Sequence, residues 1–90
     1  MYEESEKVNE MNKTEAKKLI KEYLKEAHNL KVVNINNKFN IWIAVDDSGI
    51  PYEICVDYKT NTFGLTMLST ACFHRTFFYR YAANGMIKRI

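Results

Sequence analysis

The spacing of apolar residues changes once along the chain, and this change limits the folds that the chain can adopt. Between residues 12 and 29 apolar side chains recur three or four positions apart, as on one face of a helix. From Lys31 onward they alternate with polar residues, as in half-buried strands. The sequence therefore predicts an α+β domain in which one amphipathic helix covers an antiparallel sheet.

The length of the chain favours a single domain. One hydrophobic core can just support folding in a chain of 90 residues, so a second domain is not expected. Residues 1–11 are mostly charged or polar and show no apolar period, which predicts a mobile tail. We therefore expect a tail at 1–11 and one domain over 12–90.

The helix is the clearest element of the sequence. Asn12 is a suitable N-cap, and Glu15 stands three residues later, as in a capping box. The left-handed conformation that Asn29 tolerates favours an end near His28. The predicted apolar stripe consists of Ala16, Leu19, Ile20, Tyr23, Leu24 and Ala27.

The alternating region predicts a meander of three or four strands. We assign the alternate residues Ile41, Ile43 and Val45 to the face under the helix, which places Trp42 on the opposite face. The next strands are expected over 51–58 and 62–68, with turns at 46–49 and 59–61. Their inward residues are predicted to be Tyr52, Ile54, Val56 and Tyr58, then Phe63, Leu65 and Met67.

The C-terminal segment fits two structures. A helix would have Ser69 as its cap, Leu68 and Phe73 as a hydrophobic staple, and Asn84-Gly85 as its end. A hairpin would use the β-formers of residues 77–81 and turn at Asn84-Gly85. We prefer the helix, because no turn-forming residues separate Leu68 from a new strand, and we keep the C-terminal β-hairpin as the alternative.

The region of residues 12–61 resembles a PepSY domain, a short helix followed by a small antiparallel sheet. The resemblance rests on residues 52–61, a strand that ends in Val56-Asp57 and is followed by Thr60-Asn61 after two variable residues. Asn61 stands where that family usually has glycine, and Asn is the best substitute at a left-handed turn position. The resemblance implies a module that binds or restrains peptidases and that usually lies outside the membrane, although this chain lacks an export signal.

The sequence offers little chemistry for catalysis. The only neighbouring nucleophile and base are Cys72 and His74, whose side chains would diverge on a helix. The cysteines and histidines are too scattered for a zinc site, and the three glycines cannot build a phosphate loop. We expect no enzyme activity, no cofactor and no metal.

Basic and aromatic residues are concentrated near the C-terminus. Residues 69–90 contain four bases and no acid, although the net charge of the chain is only +2. Rings interleave with these bases and could form part of the core, or they could contact a partner. Trp42 could likewise be an exposed interface anchor or be covered by the C-terminal segment. The candidate partner-binding residues are Trp42, Arg75, Phe78, Tyr79, Arg80, Lys88 and Arg89.

These features predict a small non-catalytic binding module. The expected partner is a protein, with a second copy of this chain also possible, and the role is that of an adaptor or inhibitor. The alternative is nucleic-acid binding through the basic aromatic C-terminal segment. No apolar run is long enough to span a membrane. Two cysteines and no signal-like stretch indicate the cytoplasm, and frequent Lys, Asn and Ile are typical of bacteria and phages with AT-rich genomes.

Overall fold

One helix and a six-stranded sheet make up the part of the fold that the structure describes. The computed structural model describes residues 12–68 and 75–90. Its elements, in chain order, are α1 (Lys13–His28), β1 (Lys31–Asn36), β2 (Ile41–Val45), β3 (Pro51–Asp57), β4 (Thr62–Met67), β5 (Thr76–Tyr81) and β6 (Ile87–Arg89). The strands lie in the sheet in the order β1 to β6, and each is antiparallel to its neighbours. The helix of the described region is too short and too polar to cross a membrane.

The predicted helix ends are confirmed. The backbone N–H of Glu15 donates to Oδ1 of Asn12 at 2.8 Å, which satisfies one of the free donors of the first turn. At the other end Asn29 has φ 57°, and its N–H bonds to carbonyls of the last turn. Asparagine side chains thus set both ends of α1.

The core lies between α1 and one side of the sheet, which we call the helix side. From α1 it includes Ala16, Ile20 and Leu24, all fully buried. Ala27, which the periodicity also placed on this stripe, is exposed. The sheet contributes alternate residues of its four central strands: Trp42, Ala44, Ile54, Val56, Phe63, Leu65, Tyr79 and Tyr81. The other side of the sheet has no covering element among the described residues, and we call it the open side.

The assignment of β2 to the two sides was wrong. Trp42 and Ala44 are fully buried on the helix side, whereas Ile41 and Ile43 are only half-buried on the open side. Trp42 pairs directly with Ile54 of β3, and directly paired residues lie on the same side of a sheet. The residues that β2 places on one side of the sheet and those on the other side are all apolar, so the sequence of β2 could not show which set faces the helix.

The predicted C-terminal helix and the number of strands were also wrong. Residues 76–81 and 87–89 form a hairpin that extends the sheet to six strands. The hairpin alternative expected a two-residue turn at Asn84-Gly85. The turn does contain these residues, with Gly85 at φ 90°, but it spans residues 83–85, because the N–H of Ala82 bonds to the carbonyl of Met86. Pairing of β5 with β4 gives the rings cross-strand partners that an isolated helix would lack. The proposed cap Ser69, the staple residue Phe73 and the Cys72–His74 pair lie outside the described residues.

A second hairpin, between β1 and β2, was missed. Oδ1 of Asn36 accepts bonds from the N–H groups of Lys38 and Phe39, and Asn40 has φ 56°. These asparagines close the turn at 37–40 that separates β1 from β2. Asn61 has φ 57°, so it adopts the left-handed turn conformation that the sequence predicted for it.

Candidate partner-binding groove

A groove lies on the helix side of the sheet, beside the C-terminal end of α1. The helix ends at His28, and among the described residues no other element covers the strand residues beyond this point. The groove has a volume of about 390 Å³. Its lining combines apolar, aromatic and cationic side chains: His28, Tyr52, Leu65, Met67, Arg75, Phe77, Tyr79 and Arg89.

An aromatic ring flanked by two guanidinium groups forms the centre of the groove. Phe77 of β5 is half-buried and pairs with Leu65 of β4. The guanidinium carbon of Arg89 lies 4.3 Å from the centroid of the Phe77 ring, and that of Arg75 lies 5.8 Å from it. Both distances are within the range of cation–π attraction, which orients the two arginines over the ring.

Strand alternation explains why these three residues meet. Arg75, Phe77 and Tyr79 are spaced two residues apart, and the latter two point to the helix side from β5. Arg89 of β6 pairs directly with Tyr79, which places it on the same side, next to Phe77. The hairpin of β5 and β6 therefore assembles the cationic part of the groove.

One wall of the groove is an aromatic cluster. Tyr79 stacks on Phe63 with ring centroids 5.2 Å apart, and Tyr23 meets both rings edge-on. His28 packs edge-on against Tyr23 and Tyr79, and its Nε2 lies 3.3 Å from the Tyr79 hydroxyl oxygen. These contacts tie the wall to the end of α1.

The groove carries positive charge without compensating carboxylates. Burial lowers the pKa of His28 below its ordinary value, so this imidazole is neutral at pH 7. None of the lining residues is acidic, and within residues 12–68 and 75–90 Arg75 and Arg89 have no carboxylate partner. The two guanidinium groups keep their N–H donors available for an anionic ligand.

The structure divides the predicted partner-binding residues among three places. Arg75, Tyr79 and Arg89 meet in the groove on the helix side. Three others lie on the open side, where Phe78 pairs with Gly64 and Arg80 pairs with Lys88. Trp42 is fully buried beneath α1 and offers no surface to a partner.

Sequence reasoning missed Phe77, the residue at the centre of the groove. Its signal was present, because Phe77 alternates with Arg75 and Tyr79 in a segment of high β-propensity. A helix over this segment would have placed Phe77 on the side opposite Arg75 and Tyr79, so the preference for a helix hid the grouping.

The described residues include one free cysteine and no cluster of metal ligands. Cys55 is exposed on the open side, and burial, followed by the charge of Glu53 and a bond to it, raises the pKa of its thiol. A raised pKa disfavours the reactive thiolate. No group of three His, Cys, Asp or Glu side chains in the described part of the chain could hold a metal ion.

Comparison with known proteins supplies no relative. No protein-family model, curated protein or solved structure matches the chain. The resemblance to PepSY domains therefore stays a prediction, and any function must be argued from the groove and the surfaces around it.

Proposed function

We propose that this chain is a non-catalytic binding module that holds a segment of a protein partner in the arginine-flanked groove. The observation that carries the proposal is that the guanidinium groups of Arg75 and Arg89 both lie over the partly exposed Phe77 ring, 5.8 and 4.3 Å from its centroid. Arginine and aromatic residues in one partly desolvated depression are the side chains that contribute most to protein interfaces.

The lining defines the chemistry of the segment that would fit. A carboxylate can accept paired hydrogen bonds from a guanidinium group, and two such groups face the groove. Tyr52, Leu65 and Phe77 offer an apolar floor for a ring or an aliphatic side chain. The preferred segment carries an acidic residue close to an aromatic or large aliphatic one.

A volume of about 390 Å³ suits a few side chains of a partner, while the rest of its surface would contact the rims. Such a module would act as an adaptor or as an inhibitor, since both roles need recognition without turnover. The predicted peptidase-binding role of a PepSY-like domain is one form of this proposal.

The proposal can be tested by capturing a partner from a lysate of the source cell with variants of two adjacent residues. Lys88 and Arg89 are consecutive but lie on opposite sides of the sheet, since they pair with Arg80 and Tyr79 respectively. Arg89→Glu should abolish capture of a partner, because it reverses a charge in the groove, whereas Lys88→Glu should preserve it. Equal capture by the wild type and both variants would contradict the groove as the binding site.

Binding of single-stranded nucleic acid is the second candidate. Phe78 is 55% exposed on the open side, where Arg80 and Lys88 also lie, and exposed rings beside cations bind unpaired bases. It ranks second because Glu53 and Asp57 share this side and would repel phosphates. Failure of fluorescent single-stranded DNA and RNA to bind at low salt would exclude it, since phosphate contacts are strongest there.

A further inference from the structure

The open side of the sheet has two rows of residues with complementary ends. One row runs across four strands as Asp57, Thr62, Arg80 and Lys88. The next row runs as Ile41, Cys55, Gly64 and Phe78. In the first row, Asp57 of β3 and Arg80 of β5 lie on the two sides of β4. In the second row, Cys55 and Phe78 lie on the two sides of Gly64.

We propose that the open side is the interface of a homodimer in which two sheets stack face to face about a two-fold axis. The axis runs parallel to the strands and passes beneath Gly64 of β4. Rotation about it keeps each row in register and reverses the order of the strands. The β3 strand of one copy then lies over β5 of the second copy, and each β4 lies over the other.

The first row supplies charge complementarity in this arrangement. Asp57 lies over Arg80 of the second copy, and Arg80 lies over Asp57 of the second copy, so each dimer forms two such pairs. Within one copy Thr62 separates the two residues, and Arg80 has no carboxylate partner among the described residues. Oδ1 of Asp57 accepts bonds from its own turn, and the other carboxylate oxygen can face the second copy.

The second row supplies shape and apolar contact. Gly64 lies over Gly64 of the second copy at the axis, where the Phe78 ring and the Thr76 side chain of each copy cover it, so the two sheets meet there through these side chains. The exposed Phe78 ring of each copy lies over Cys55 of the other, a small apolar partner. Ile41 and Ile43, both half-buried, extend the apolar area toward β2.

The available area indicates a reversible dimer. Strands about 4.8 Å apart and about 20 Å long give an overlap on the order of 500 Å² from each copy. The total of about 1,000 Å² is at the lower limit for a specific interface. The groove lies on the other side of the sheet, so a dimer would present two grooves facing outward.

Two variants with reversed charges, measured alone and as a mixture, test the interface directly. Sedimentation from about 1 to about 500 µM should show the wild type changing from monomer to dimer. Arg80→Glu or Asp57→Lys alone places like charges at both pairs and should weaken the dimer at least about tenfold. An equimolar mixture of the two should recover it, because each pair then joins opposite charges again.

Thiol protection gives an independent readout that does not depend on these charges. In a Cys72→Ser background, alkylation of Cys55 should slow as the protein concentration rises into the range where the dimer forms. Circular dichroism checks that each variant is folded, and Phe78→Ser, which leaves the charged pair intact, should also favour the monomer.

Three outcomes would overturn the proposal. The wild type could remain monomeric over the whole range, the two charge variants could fail to associate on mixing, or Cys55 could react at a rate independent of concentration. Protection of Cys55 only when single-stranded nucleic acid is added would also overturn it and would assign the open side to that ligand.

Discussion

Gly64 and Phe78 face each other across β4 and β5, and a methyl group at position 64 would lie 3.1 Å from Cε1 of Phe78. The same methyl group would also lie 3.1 Å from Cγ2 of Thr76. The ring therefore leaves little room for a side chain at position 64. We expect Gly64→Ala to lower the free energy of unfolding by about 1–3 kcal/mol, as overpacking does, although alanine suits strands better than glycine. Urea denaturation of dilute protein measures the change.

A double-mutant cycle with Phe78→Ala separates the contact with the ring from other effects of the new methyl group. When the ring is absent, the cost of Gly64→Ala should fall by more than half. An unchanged cost in the Phe78→Ala background would show that the backbone or Thr76, and not the ring, requires glycine.

Trp42 is predicted to be essential for stability. It is fully buried between α1 and the sheet, and its Nε1 has no hydrogen-bond partner among the described residues. Trp42→Ala should cost about 3–5 kcal/mol because it leaves a large cavity, which is enough to unfold much of a small domain. Trp42→Phe should cost less, since it keeps most of the apolar volume and removes a buried donor without a partner.

The adjacent residue provides the control for Trp42. Ile43 lies on the open side and is only half-buried, so Ile43→Ala should cost clearly less than Trp42→Ala in the same urea experiment. A larger cost at Ile43 would restore the assignment of sides that the apolar alternation first suggested.

The fold could be predicted wherever a single pattern decided it. The stripe of α1 and the side chains of Asn12 and Asn29 determined the helix, and one-sided alternation determined the inward residues of β3. The orientation of β2 could not be predicted, because both of its alternate sets are apolar and pairing with β3 decides between them. The C-terminal hairpin depended on pairing with β4, the strand before it, and local propensity does not include such pairing.

The sequence could predict which types of residue form the candidate site, but not how they are arranged. The excess of bases and rings in residues 69–90 drew attention to Arg75, Tyr79 and Arg89, which line the groove. The structure adds the side of the sheet on which each residue lies. Alternation along the strands separates these three residues from Phe78, Arg80 and Lys88, and no part of α1 extends over the groove. The contribution of His28 and Tyr52 depends on contacts between distant segments, so no local signal could show it.

The reactivity of Cys55 should depend on its neighbour Glu53. The thiol lies 3.8 Å from Oε1 of Glu53, and the pKa of Cys55 is raised by burial and then by this carboxylate. Glu53→Gln removes the negative charge, so the thiolate should form at lower pH and alkylation near neutral pH should become faster. The control is Asp57→Asn, which keeps an oxygen for the turn and should leave the rate unchanged when the protein is dilute enough to be monomeric. The wild type and the two variants are all compared in a Cys72→Ser background. Equal rates of alkylation in these three proteins would contradict the effect of Glu53 on Cys55.

The stability of the fold should decrease in mild acid because of His28. This ring packs against Tyr23 and Tyr79, and burial lowers its pKa below the ordinary value of 6.5. The unfolded chain therefore binds the proton more readily, so the contribution of His28 is complete above pH 6.5 and is lost as the pH falls from 6.5 through the lower pKa of the folded state. Urea midpoints measured at about pH 7.5 and about pH 5.5 should differ more in the wild type than in His28→Gln, which cannot take up this proton. Carboxylates elsewhere titrate equally in both proteins, so an identical acid loss in the two would show that His28 does not contribute to it.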